Sequence, residues 1–200
     1  MQGGALLDVG CAAGFFLEAL GPSWQSYGLE PCEEMARVAR EKFGDHITIG
    51  TFEDYASHRT FDVITLWDVI EHVVHPKAVL QKVHTLLRPG GFLFIGTPAA
   101  ESPAAKMLGK HWYYYVPPAH INFFDRWTIK TLLEATGFDC KNRLYLPKLV
   151  SLSEIVLNLS FMIRSHRIRL LSEKIARNSR WNVSLPYMVY DDLLVVAQKK

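Results

Sequence analysis

An α/β fold built on a mostly parallel sheet is predicted for this chain by two patterns. Strand-like apolar runs alternate with stretches of helical periodicity. Several of those runs, such as Leu6-Leu7-Asp8-Val9 and Phe92-Leu93-Phe94-Ile95-Gly96, are short and nearly continuous, as in strands covered on both faces. The composition agrees: 200 residues, 49% hydrophobic and 21% charged, suffice for one well-covered core.

Taken in order, the first strand is expected at about 5–9. A helix follows from Ala13 to the Gly21-Pro22 pair, which cannot comfortably continue it. A second strand at 24–29 leads to a helix with Pro31 in its first turn, reaching Phe43, with Glu33 and Glu34 at its positive end and Arg40 and Lys42 at its negative end. The third strand is expected at 46–50, the fourth at 61–67, a helix at 76–87 stopped by Pro89-Gly90-Gly91, and the fifth strand at 92–96. A long irregular stretch, Thr97 to Asp125, carries the aromatic run Trp112-Tyr113-Tyr114-Tyr115; its aromatic density argues for function rather than disorder. A helix at 126–136, a strand at 138–146, one or two helices at 149–179 and a last strand at 187–197 complete a single domain of residues 1–200, with a helical insertion at about 149–180.

The turn after the first strand is the most specific signal. Small residues from Gly10 to Gly14 let the chain bend and let a ligand approach backbone N–H groups, and Glu30 follows 20 residues after Gly10, where an open α/β sheet places the carboxylate that holds ribose hydroxyls. A dinucleotide fingerprint needs a small residue at position 15 for close helix packing, and Phe15 stands there. The run Asp8-Val9-Gly10-Cys11-Ala12-Ala13-Gly14 instead resembles the D-x-G-x-G-x-G motif of class I S-adenosylmethionine (SAM) dependent methyltransferases, with Asp8, Gly10, Ala12 and Gly14 in register. Ala12 replaces a glycine of that motif, which its backbone accommodates if φ stays below zero.

Three further stretches extend the resemblance, and within the class they look most like the ubiquinone-biosynthesis O-methyltransferases: Phe61 to Val73, Leu86 to Pro98, and Pro118 to Phe138. The resemblance implies a Rossmann-like seven-stranded sheet, order 3-2-1-4-5-7-6, with the last strand antiparallel and helices on both faces. It also implies SAM as cofactor, with Asp8, Gly10, Cys11, Ala12 and Gly14 shaping its site, Glu30 on the ribose, Leu29, Pro31 and Phe52 around the adenine, Glu53 or Asp54 on the exocyclic amine, and Trp67 and Asp68 at the end of the fourth strand. Such proteins usually carry helices ahead of the first strand; here about four residues precede it, so the chain is trimmed or its cleft is open.

Methyl transfer is an in-line displacement in which positioning and exclusion of water do much of the work, but a hydroxyl acceptor must also lose a proton. His72 and His120 are the candidate general bases. In ubiquinone-type enzymes a related E-x-x-E-H segment is associated with a divalent metal; Asp68-x-x-Glu71-His72 is the pattern here, and it admits a divalent metal as a second cofactor without assigning its ligands. His46, His58, His75, His84 and His111 are expected at the surface.

The partner expected from this reading is a small-molecule acceptor, methylated at oxygen, of aromatic, sugar or lipid-linked type. Nucleic acid is not expected, because the net charge is only +2 and no N-P-P-Y type motif occurs. A non-catalytic SAM-binding or scaffold protein is the alternative from a different class. Between 149 and 180, Leu152, Ile155, Val156, Leu159, Ile163 and Leu170 follow helical spacing while Arg164, Arg167, Arg169, Lys174, Arg177 and Arg180 supply a basic face, a pattern compatible with peripheral membrane contact. Cys11, Cys32 and Cys140 form neither a disulfide framework nor a zinc pattern, no run is long enough to span a membrane, and the expected location is the cytoplasm.

Overall fold

A computed structural model describes residues 3–162, 165–178 and 184–200. Seven strands, β1 (Gly4–Val9), β2 (Trp24–Glu30), β3 (Ile47–Ile49), β4 (Phe61–Trp67), β5 (Leu87–Pro98), β6 (Phe138–Ser151) and β7 (Ser184–Lys199), form one sheet in the order β3-β2-β1-β4-β5-β7-β6. The pairs from β3 to β5 are parallel, and β7 runs antiparallel to both its neighbours. Seven helices are described: α1 (Phe15–Leu20), α2 (Glu33–Phe43), α3 (Pro76–Leu86), α4 (Pro103–Leu108), α5 (Arg126–Glu134), α6 (Leu152–Met162) and α7 (His166–Arg177).

Adjacent residues of β1 and β4 face opposite ways, and each side is buried. Leu6 and Val63 pack with Leu17 of α1 and with Ala36 and Ala39 of α2; Leu7 and Ile64 pack with Val79, Leu80 and Val83 of α3 and with Ile129 and Leu133 of α5. α3 starts with Pro76 in its first turn and buries Val79, Leu80, Val83 and Leu86, the spacing of one helical face. α5 is fixed at its start by a capping box in which Asp125 accepts from Thr128 N and the Thr128 hydroxyl accepts from Asp125 N.

Several boundaries differ from the sequence expectation. α1 begins at Phe15, because Gly14 takes a left-handed conformation (φ 78) and its N–H closes a turn on Cys11 O at 2.8 Å. Pro31 lies before α2, whose cap is Cys32. β5 starts at Leu87, which pairs with Phe61, and absorbs Pro89-Gly90-Gly91 in an irregularity before regular pairing resumes at Phe92. The stretch 97–125 is not irregular throughout: Ser102 accepts from Ala105 N and Pro103 opens α4. β6 and β7 continue past the sheet as a two-stranded ribbon to Ser151 and Ser184, so α6 begins at Leu152. Ile163, Arg164 and Arg180 lie outside the described residues, as does the side chain of Leu159. His84 is half-buried against Phe138 instead of lying on the surface, whereas His46, His58, His75 and His111 are exposed. Among the described residues no helix is long and apolar enough to cross a membrane.

The chain winds outward from β1 to β2 to β3 and then returns to β4 on the other side of β1. That reversal opens a crevice at the carboxyl ends of β1 and β4, the place where sheets of this kind take ligands.

Candidate functional site

A cleft of about 510 Å³ occupies this crevice, lined by residues that include Gly10, Leu29, Glu30, Phe52, Asp68 and His72. The floor is made by the turn after β1. Gly10 N and Cys11 N both donate to Leu29 O, at 2.7 and 3.1 Å, which ties the turn to β2. Gly10 sits at φ 77, and a Cβ there would come within 2.8 Å of Val69, so glycine is required on both counts.

Glu30, 8% exposed, braces the same turn. Its Oε2 accepts from Ala12 N at 2.9 Å and its Oε1 from Cys32 N at 2.8 Å. Each oxygen keeps a further lone pair for a ligand hydroxyl. Ala12 does not keep φ below zero: it stands at φ 45, a left-handed conformation that costs an alanine about 1–2 kcal/mol and that the bond to Glu30 helps to hold.

Of the sequence-designated residues, Gly10, Glu30, Pro31, Phe52, Glu53, Trp67, Asp68 and His72 line the cleft together. Asp8, Cys11, Ala12 and Gly14 are not in its lining; they build the turn from beneath or behind. Asp8 is 1% exposed and accepts from the Thr65 hydroxyl at 2.6 Å. Burial pushes its carboxyl up to about 7, Thr65 pulls it back, and Glu30 adds repulsion. Cys11 is buried, and burial with the Asp8 and Glu30 carboxylates pushes its thiol up to about 12, which makes it an inert packing group. Asp54 is not in the lining and accepts from the Thr51 hydroxyl at 2.7 Å.

Beyond Asp68 the segment 69–73 meets the loop 114–123. Asn122 Nδ2 donates to Val73 O at 2.7 Å, and Ile121 N and Asn122 N both donate to Glu71 O at 3.0 Å. These ties set the His120 ring 4.7 Å from the His72 ring. His72 Nδ1 lies 2.8 Å from Ala119 O and His120 Nδ1 lies 2.7 Å from Tyr114 O. A carbonyl only accepts, so these partners assign the proton to Nδ1 and leave Nε2 of each neutral ring with a lone pair.

The glycine turn, the braced carboxylate at the end of β2 and the histidine pair lie in a stretch, residues 2–142, that matches the methyltransferase-domain family. The chain belongs to that family. A ubiquinone biosynthesis O-methyltransferase from Xanthomonas campestris is 32% identical over 161 residues, 68% of this chain and 66% of that relative, so the chain spans just under two thirds of its length. Among solved structures, a Bacillus halodurans methyltransferase matches with a TM-score of 0.67 at 17% identity, covering 100% of this chain and 94% of that one. The N-methyltransferase NodS of Bradyrhizobium japonicum, solved with S-adenosyl-L-homocysteine, matches with a TM-score of 0.57 at 17% identity, covering 98% and 77%. At such identities these two structures bear on the fold alone.

In this methyltransferase domain the trio Asp68, Glu71 and His72 does not form a metal-ligand set. Among the described residues the donor atoms that gather within 4.8 Å belong to Glu71, His72 and His120. Glu71 is 1% exposed, accepts from the Thr97 hydroxyl at 3.0 Å, and leaves Oε1 without a partner. Burial pushes its carboxyl up to about 7. The fold therefore does not assemble the Asp68-x-x-Glu71-His72 pattern as written, since His120 stands where Asp68 was expected, and no chemistry is routed through a metal.

Sequence reading placed Glu71 only in the Asp68-x-x-Glu71-His72 pattern and assigned no role to Thr97 or Asn122. Glu71 carried a signal, a carboxylate beside His72. Asn122 carried none, because its partner Val73 O lies 49 residues away.

Proposed function

We propose that this domain transfers a methyl group from SAM to an oxygen of a small-molecule acceptor. One observation carries the choice of cofactor: the cleft lining holds three carboxylates, Glu30, Glu53 and Asp68, and no lysine or arginine. Such a surface favours a ligand with a sulfonium and an ammonium and repels the pyrophosphate of a dinucleotide. Its volume, about 510 Å³, suits a ligand of nucleoside size. Bound there, SAM supplies a methyl on a cationic sulfur whose departure leaves a neutral thioether.

The residues then divide the work. Glu30 takes the ribose hydroxyls, Leu29, Pro31 and Phe52 give the adenine an apolar slot, and Gly10 leaves room for close approach. His72 and His120, both with Nε2 unprotonated in the neutral ring, take the acceptor proton as it is lost. The name of the O-methyltransferase relative supports oxygen as the acceptor atom. The three cysteines, all free, fit a reducing cytoplasm.

Calorimetry with SAM, S-adenosylhomocysteine and NADH tests the cofactor, and methyl release to a panel of hydroxyl compounds tests the reaction. His72→Ala or His120→Ala should lower turnover roughly 10²–10⁴-fold with SAM affinity nearly unchanged. Binding of NADH in place of SAM would refute the cofactor, and full activity of both variants would refute the base.

A further inference from the structure

β5 and β6 are each antiparallel to β7, so β6 runs parallel to the strands whose carboxyl ends form the cleft. α6 and α7 leave from that end of β6 and return at the start of β7. The ribbon beneath them passes the end of β5: Pro98 pairs with Asp192, while Lys148 pairs with Val189 and Ser151 with Ser184 farther out. The helical pair therefore stands at the same edge of the molecule as the mouth of the cleft.

α7 is oriented there by its buried side. Ser172, 4% exposed, donates to Ser153 O on α6 at 3.1 Å, with half-buried Ile168 and Ile175 one helical turn to either side. Leu170 stands on the opposite face with exposed Arg167, Lys174 and Arg177, and Leu171 on the flank beside Arg167 and Lys174; the two leucines are 44% and 50% exposed. The helix bears four basic residues and one acid, and that acid, Glu173, sits 3.9 Å from Arg169. Two leucines ringed by cations are the side-chain pattern of a helix lying in a lipid interface, where the leucines enter the acyl boundary and the cations meet headgroup phosphates.

A second observation agrees. Among the described residues, no large exposed apolar side chain lies in the turns at the amino ends of the parallel strands, whereas Phe15, Val74, Met107 and Ile121 follow the carboxyl ends of β1, β4 and β5. The turns on the edge that α7 shares thus expose apolar side chains, and those at the opposite edge do not. We propose that this edge docks on a membrane of anionic lipid through the outer face of α7, turning the mouth of the cleft towards the bilayer. The proposal rests on no step of the methyl-transfer reading.

Flotation with vesicles tests it without cofactor or acceptor. The chain should float with mixed phosphatidylglycerol and phosphatidylcholine vesicles, stay behind with phosphatidylcholine alone, and be released by high salt. The triple variant Arg167→Ala, Lys174→Ala, Arg177→Ala should bind on the order of 100-fold more weakly. Leu170→Ser with Leu171→Ser should also weaken binding, and circular dichroism checks that each variant is folded. A charge-matched control, Arg37→Ala, Arg88→Ala and Lys141→Ala, should bind as the parent does. Failure of the parent to float, or equal binding by the α7 triple variant and the control, overturns the proposal. A dimer seen by sedimentation and dissolved by the leucine variant overturns it too, assigning the face to a second copy of the chain.

Discussion

Replacing Glu30 by alanine removes a carboxylate that has two tasks, and their magnitudes differ enough to be separated. Towards the ligand, hydrogen bonds to a charged acceptor contribute about 1.5–3 kcal/mol, so SAM should bind roughly 10–150-fold more weakly. Towards the fold, the two N–H groups that Glu30 now accepts, from Ala12 at 2.9 Å and Cys32 at 2.8 Å, belong to exposed residues that water can reach. Their loss should cost no more than about 1–2 kcal/mol, a fall in Tm of roughly 2–8 °C for a domain of this size. Glu30→Gln is not a milder change, because its NH₂ would face one of those two N–H donors. Calorimetric titration with SAM and S-adenosylhomocysteine, with thermal melts of the same samples, reads both effects. An unchanged dissociation constant in a folded variant would remove Glu30 from the ligand site, and a collapsed melt with no folded protein to titrate would make it a structural clamp first.

Three other perturbations follow from the geometry. Ala12→Gly relieves a left-handed alanine at φ 45, and after the added freedom of the unfolded chain is subtracted it should stabilise by about 0.5–1 kcal/mol; a lower Tm would contradict the strain argument. Asp8 is raised by burial from its ordinary 3.8 to about 7, so the folded state holds its proton more tightly and the group's stabilising contribution, complete below pH 3.8, is lost as pH rises through 7. Melts across that window should fall for the parent and fall less steeply for Asp8→Asn, which keeps an acceptor for Thr65 while Glu71 and Asp191 still titrate there, and parallel curves would refute the assignment. Trp112 is 5% exposed and packs against Tyr114 and Phe123, with buried Asp191 beside its indole, so Trp112→Ala should cost about 3–5 kcal/mol in urea unfolding; a variant of parental stability would refute its place in the core.

The path from residues to fold was legible wherever a local pattern had one physical solution. Continuous apolar runs specified buried parallel strands, Pro76 with the spacing Val79, Leu80, Val83, Leu86 specified α3, and Gly10 with Glu30 located the cleft, because a sharp turn and a strand-end carboxylate lie on short stretches of chain. Boundaries were less legible where pairing partners decide them. Leu87 joins β5 because Phe61 is opposite, and β6 reaches Ser151 because Ser184 lies alongside.

Tertiary structure alone decided the rest. The sign of φ at Ala12 follows from the pull of Glu30 across the turn, which nothing in the residues beside Ala12 encodes. That Asp8 and Cys11 support the cleft from below, while Glu53 and Asp68 line it, depends on which neighbours bury them. His72 and His120 are 48 positions apart in sequence, and only the clamp of Asn122 on Val73 and of Glu71 O on the following loop makes them neighbours. Local sequence fixes conformations one turn or strand at a time, whereas the protonation, exposure and pairing on which the chemistry rests are set by contacts that exist only after the chain has closed on itself.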